Sequence, residues 1–376
     1  MGRLQIGVVG CGIAARSRYF PLLWKLSENF AVARLCDVDS AALEHARRLF
    51  PEAEYYSSLV DLAQARGSSL DAVLLLVDGD HHDLLLTLAE HGLPTFVEKP
   101  ISYTRGRAVE CVREFEVRDL PLQVGYMKRY YDSVGRITEV LAQETIVSVS
   151  VDLVHPPEDA YLTPVLGHGR QATSDLGAFL DSQTSVPDVA SVLSALGVDR
   201  DDVGLKRAYF LLATSAIHDV NLLRGLLGEP ETVSFADFWN DGLAGRVIFS
   251  YSATLTASLT FAYVETAGYE ERVRLVGNRG RWSLDLPSPY LPHAPAVIES
   301  VRGSSNGLPV VSSEPVSLVD PFETQLLEFR NAVEDRRPPR IDGRDAAADL
   351  ALVERIVTVA ASIRNGASVV RAGREV

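Results

Sequence analysis

Two short segments carry residues whose types and spacing could do chemistry. Gly10-Cys11-Gly12-Ile13-Ala14-Ala15 has a Gly-x-Gly-x-x-Ala pattern, and Val97-Glu98-Lys99-Pro100 sets a lone lysine just past a short apolar run. In the first segment Gly10 permits a tight turn, Gly12 lets backbone approach a pyrophosphate, and Ala15 is small enough for a helix to pack on a sheet. The amides of Ile13 and Ala14 then face the phosphates from the positive end of that helix. In the second segment Lys99 stands at a strand end, where an open parallel sheet holds the reactive part of its ligand. Partial desolvation and a neighbouring nicotinamide ring both favour the uncharged amine, which can give or take a hydroxyl proton. Asp37 follows the glycines at about the 20-residue spacing at which a carboxylate accepts from the adenosine ribose hydroxyls. An acid there repels a 2′-phosphate, so NAD is favoured over NADP, with Arg34 the nearby cation that argues the other way. Cys11 reads as filler in the turn. Together the two segments imply hydride exchange between a dinucleotide and a small molecule.

These residues need a sheet to position them, and the pattern supplies one. Apolar runs at 4–9, 32–36, 72–77, 95–97 and 122–124 alternate with helical periodicity at 41–50, 82–91 and 106–115, which predicts a parallel sheet with crossover helices. After Tyr126 the texture changes to alternating strands such as 146–154, 246–251 and 257–264, the mark of an antiparallel sheet. Gly277-Asn278-Arg279-Gly280 reads as a hairpin turn between 272–276 and 281–286, and 322–334 and 346–364 read as helices. The expected fold is α/β followed by α+β: a Rossmann dinucleotide-binding domain over 1–125, then an open, mostly antiparallel sheet with helices on one face over 126–376. Residues 155–204 carry four prolines and the acidic cluster Asp199–Asp202, with helical texture only at 189–196. They predict a long loop, either a lid or a surface excursion.

A chain of 376 residues with 47% hydrophobic and 23% charged residues suits two globular domains. The net charge of -14 argues against nucleic acid as a partner. No apolar run is long enough to span a bilayer, and the opening residues lack the basic-then-apolar pattern of a signal peptide. Three scattered cysteines, Cys11, Cys36 and Cys111, form neither a disulfide framework nor a metal-ligand spacing and suit a reducing cytoplasm.

The chain resembles the glucose-fructose oxidoreductase, inositol dehydrogenase and rhizopine-catabolism family (Gfo/Idh/MocA). The resemblance is carried by Gly7–Gly12, Val97–Pro100, Val124–Tyr130 and Ile217–Gly228. It implies NAD(P)-dependent oxidation or reduction of sugars, cyclitols and related polyols, by homodimers or homotetramers built through the open face of the second sheet. By the same resemblance Lys99 and His218 are the acid/base pair, and Glu98 lies beside the nicotinamide ribose. Met127 and Lys128 line the substrate pocket, and His82 opens the helix after the fourth strand. Val77-Asp78 replace the family's Thr-Pro at the cofactor wall. The family's aspartates four residues before and three after the histidine are replaced by Thr214 and Asn221. Positions four apart on a helix share a face, so Thr214 is expected beside His218, offering a hydroxyl but no charge, and His218 is expected to bind and orient more than to transfer protons. A similar block at Asp175–Phe179, with Phe179 in place of the histidine, lacks the following Leu-Leu-Gly-x-Pro and is set aside.

The leading expectation is therefore an NAD-dependent oxidoreductase acting on a secondary alcohol or ketone of a sugar-like or cyclitol-like molecule. A second keeps the site but returns the hydride, giving elimination, epimerisation or glycoside cleavage without net redox. A third is a non-catalytic dinucleotide or sugar sensor, which would have no need of Lys99.

Overall fold

The computed structural model describes residues 2–65, 69–157, 176–266, 268–304 and 306–371. The chain divides into two compact units. Among the described residues, the first takes those up to Tyr130 together with Asp320–Ala348, and the second takes the remainder.

In the first unit β1 (Leu4–Val9), β2 (Phe30–Cys36), β3 (Glu54–Tyr56), β4 (Ala72–Leu75), β5 (Thr95–Val97) and β6 (Leu122–Val124) form a parallel sheet in the order β3-β2-β1-β4-β5-β6. The connecting helices are α1 (Phe20–Lys25), α2 (Ser40–Leu49), α3 (Leu59–Gln64), α4 (His82–Glu90) and α5 (Arg105–Glu116). The central strands are apolar on both faces, as in Val8, Val73 and Leu74, because crossover helices cover both sides of such a sheet. Strand order runs outward in both directions from β1 and β4, which makes their carboxyl ends the switch point where ligands bind. Strand β3 was not expected: it is three residues long and begins on exposed Glu54, so it leaves no apolar run to read.

In the second unit helix α6 (Asp132–Gln143) precedes β7 (Ile146–His155). Strands β8 (Thr232–Trp239), β9 (Ala244–Ser250), β10 (Thr256–Tyr263), β11 (Glu270–Gly277), β12 (Gly280–Leu286), β13 (Val297–Gly303) and β14 (Pro309–Pro315) complete an eight-stranded sheet, ordered β14-β13-β12-β11-β7-β10-β9-β8. Every pairing is antiparallel except β7 with β10. Val149, Val151, Leu259, Phe261, Val273 and Leu284 are buried, while their strand neighbours Ser150, Asp152, Thr260 and Arg272 are partly exposed. That period of two is what the sequence shows for a sheet packed on one face. The expected hairpin at Gly277–Gly280 joins β11 to β12.

The stretch expected as a long loop is largely helical where it is described. Helices α7 (Leu176–Thr184) and α8 (Pro187–Ala195) precede α9 (Val203–Thr214) and α10 (Ile217–Leu227). Arg207 of α9 grips Asp181 of α7 with two bonds of 2.7 Å, and Phe179 sits edge-on to Phe210 with ring centroids 6.3 Å apart. The features that suggested a loop start these helices: Pro187 occupies a first-turn position, and the Asp202 carboxylate accepts from Leu205 N–H at 2.8 Å. Asp175 of the set-aside block, and any lid at 158–175, lie outside the described residues.

The expected single boundary after residue 125 is corrected by α11 (Pro321–Glu334), which returns to the first unit. Its Phe322, Leu326 and Phe329 join the apolar cluster of Ile6, Val8, Leu74 and Phe96. The chain ends in α12 (Gly343–Arg371), whose residues from Asp349 onward belong to the second unit. No helix of the described residues is long and apolar enough to cross a membrane.

Candidate active site

The glycine turn sits where β1 ends, and the neighbouring backbone explains its composition. Gly10 has φ +93°, and a Cβ there would lie 2.6 Å from Val77 N and 2.7 Å from Leu76 C, so only glycine fits. The same closeness brings the backbone of Val77 against the turn. A Cβ on Gly12 would meet no heavy atom within 4 Å, leaving backbone open to a ligand. Helical geometry begins at Ile13, as Arg16 N–H donates to Gly12 O at 3.0 Å, passes through a π stretch at Ala15–Tyr19 and continues as α1. The Asp37 carboxylate accepts from Cys11 N–H at 2.6 Å and from Asp39 N–H at 2.8 Å. A carboxylate has about four acceptor positions, so Asp37 ties the turn and keeps capacity for ribose hydroxyls. Arg34 is buried, donating to Leu62 O at 2.8 Å and Ala65 O at 3.0 Å and pairing with Glu54 at 3.4 Å, so its guanidinium is committed within the fold. Burial, then the charge of Asp37, pushes the Cys11 thiol up to about 12, which fits a filler and not a nucleophile. These residues fit a dinucleotide: an open glycine backbone, a helix start and an acid for the ribose.

Lys99 leaves β5 between two anchored neighbours. Glu98 N–H donates to Leu75 O at 2.9 Å and Gly125 N–H to Val97 O at 2.8 Å, which fixes the strand end on both sides. The Glu98 carboxylate accepts from Lys99 N–H at 3.2 Å and from the Tyr19 hydroxyl, and Gln325 Nε2 donates to the Tyr19 oxygen at 3.1 Å. Burial pushes Glu98 above the usual carboxylate range, while the charge of Lys99 and the bond from Tyr19 pull it back. On the other side the Lys99–Pro100 peptide is cis, and Pro100 O lies 2.6 Å from Nδ1 of His81. Nε2 of His81 lies 2.9 Å from Val77 O, so this fully buried ring ties the loop after β4 to the loop after β5.

His82, expected at the cofactor wall, does open α4, but its ring turns to Asp83 at 2.6 Å and Glu110 at 2.9 Å. His81 joins the two loops instead. The signal was the pair of adjacent histidines at a helix start: the residue just before the first turn faces back into the strand ends. Met127 is 3% exposed and packs in the same apolar cluster as Phe96 and Phe322. Lys128, beside it in the short turn after β6, is 5% exposed, a burial that lysine takes only with partners. Tyr19 and Gln325 were not expected; no periodicity distinguishes them from core residues.

Thr214 and His218 lie in the second unit, and they are not on one helix. Thr214 is the last residue of α9, Ser215 and Ala216 break the helix, and His218 is in the first turn of α10. The shared-face argument therefore fails, and the Thr214 hydroxyl donates to Phe210 O at 2.7 Å within its own helix. His218 is partly exposed. One turn further along α10, Asn221 Nδ2 donates to Asp349 at 2.8 Å, and Arg224 pairs with the same fully buried carboxylate. The acid missing from position 221 is thus present nearby, on α12.

Comparison with known proteins shows what the chain is similar to. Residues 4–126 match the oxidoreductase family with an NAD-binding Rossmann fold named GFO_IDH_MocA. An inositol 2-dehydrogenase of Acidiphilium cryptum is 33% identical over 171 residues, 43% of this chain and 49% of that protein. An inositol 2-dehydrogenase 2 of Mycolicibacterium vanbaalenii is 27% identical over 297 residues, 76% of this chain and 74% of that protein. Several of these curated relatives are matched over only about half their length or less. Among solved structures, KijD10, a 3-ketoreductase from Actinomadura kijaniata in complex with NADP and TDP-benzene, shares the fold. Its TM-score is 0.68 at 18% identity, covering 96% of this chain and 98% of that one.

Proposed function

We propose, from the match of residues 4–126 to the Gfo/Idh/MocA oxidoreductase family and the likeness to inositol dehydrogenases, that the chain is an NAD-dependent oxidoreductase. Its substrate in this reading is a secondary alcohol or ketone of a sugar-like or cyclitol-like molecule. The observation that carries it is Lys99, held at the carboxyl end of β5 between anchored Glu98 and Pro100 in the unit that carries the glycine turn. A bound nicotinamide dinucleotide would supply the hydride acceptor or donor. Lys99 gives or takes the hydroxyl proton, and Val77 and His81 shape the wall beside the turn. Glu98 holds the backbone of Lys99, and Lys128, buried in the turn after β6, orients a neighbouring hydroxyl. NAD is favoured because the Asp37 carboxylate, just past β2, would accept from the ribose hydroxyls and repel a 2′-phosphate, while Arg34 is committed to Leu62, Ala65 and Glu54. The substrate class is supported by the names of the relatives, inositol dehydrogenases and a ketoreductase.

The test is purified protein mixed with NAD or NADP and a panel of cyclitols, sugars and their ketones, followed by the absorbance of reduced cofactor in both directions. The reading expects reduction of NAD by at least one polyol, and more slowly of NADP. Substrate that changes mass with no cofactor turnover would favour the reading in which the hydride is returned.

A further inference from the structure

The Tyr19 hydroxyl reaches the acid beside Lys99. Its ring is fully buried, edge-on to Phe96 at 5.7 Å and to Phe322 at 5.8 Å between centroids. Packing alone would be served by phenylalanine. Tyr19 closes the π stretch Ala15–Tyr19, whose wider turn shifts side chains around the helix axis relative to α spacing, and π turns of this kind recur at functional sites. The phenol has one proton and spends it on Glu98, so Gln325 must present its amide N–H to the phenol oxygen. A directed chain results, from Gln325 to Tyr19 to Glu98, and the other Glu98 oxygen receives the backbone N–H of Lys99.

We propose that Tyr19 is a positioning residue for proton transfer by Lys99: its hydroxyl fixes the Glu98 carboxylate, and Glu98 sets the backbone and the charge next to the amine. The inference rests on the reading of Lys99 as the proton-transfer group. Among the described residues, the charged or titratable groups acting on Glu98 include Lys99, Tyr19 and His81. Burial favours protonated Glu98, and the Tyr19 bond, which needs the carboxylate as acceptor, opposes it. Removing the hydroxyl therefore lets Glu98 take up its proton at higher pH. The carboxylate that fixes Lys99 N–H is then weakened as an acceptor before the fold is disturbed.

The test is Tyr19→Phe, which keeps the ring, with Glu98→Gln and the double variant as partners. Difference infrared spectroscopy against pH follows the carbonyl stretch of a protonated side-chain acid without cofactor or substrate, and Glu98→Gln assigns the band. In Tyr19→Phe that band is expected to appear about one pH unit higher or more, the scale of a hydrogen bond to a charged group. The acid limb of kcat/KM is expected to move upward with it, while in Glu98→Gln, which lacks the band, adding the substitution leaves the acid limb where it is. A band and an acid limb that stay where they are in Tyr19→Phe would overturn the proposal. A wild-type protein inactive on every polyol would overturn the functional reading instead, and the infrared result would still decide whether Tyr19 governs Glu98.

Discussion

Gly10 and Asp37 show how much of the cofactor site depends on single side chains. At Gly10 a methyl group would press into the backbone of Val77 and force a β-carbon onto a φ of +93°. Gly10→Ala is expected to cost about 3 kcal/mol or more in urea unfolding and to abolish dinucleotide binding, since strained backbone and a backbone clash both contribute. Asp37 holds the turn through Cys11 N–H. Asp37→Ser is expected to weaken NAD binding about ten- to hundredfold by calorimetry, the range for hydrogen bonds to a charged group, and to narrow the preference over NADP. Equal NAD affinity in wild type and variant would remove Asp37 from the site. The glycines, Asp37 and Lys99 lie at the turn and strand ends expected from the sequence, because each position obeys a local rule of turn geometry or strand spacing. Tyr19 and His81 were not, because their roles depend on partners brought in by the tertiary fold: Glu98 and Gln325 for one, Val77 and Pro100 for the other.

The strands that hold these residues were readable wherever burial imposed a pattern, and unreadable where it did not. β1, β5 and β6 fall at their expected positions, whereas exposed, three-residue β3 left no trace. Helix ends were harder. Pro187 and Asp202 looked like loop composition yet serve as a first-turn proline and a cap, and the break at Ser215–Ala216 splits what the sequence presents as one helix. The replacement of an acid by Asn221 looked like a loss. Its consequence was hidden because Asp349 is far away in sequence and meets Asn221 and Arg224 only in the fold. This carboxylate is fully buried beside Arg224 at 9% exposure, and breaking such a pair leaves a charge without compensation. Asp349→Ala is therefore expected to destabilise the protein by about 3–5 kcal/mol in chemical denaturation. A loss below about 1 kcal/mol, the scale of an exposed pair, would show that the contact does not hold α10.

At the scale of the whole molecule, the sequence anticipated a parallel nucleotide-binding sheet followed by a mostly antiparallel one. It missed the return of α11 to the first unit, because an amphipathic helix does not announce which sheet it will cover. We propose assembly as a homodimer or homotetramer through the partly exposed face of the second sheet that carries Ser150, Asp152 and Arg272. Sedimentation should then give two or four times 41.0 kDa, and a monomer mass would contradict it. The central claim is hydride exchange with proton transfer by Lys99. Its most direct test compares wild type with Lys99→Met, which keeps the length and loses the amine, by the absorbance of reduced cofactor with NAD and a polyol panel. The account predicts turnover by wild type on at least one polyol and a loss of about 10²- to 10⁴-fold in kcat for the variant, with unfolding unchanged. Silence from wild type across the panel in both directions, or a Lys99→Met variant as fast as wild type, would contradict it.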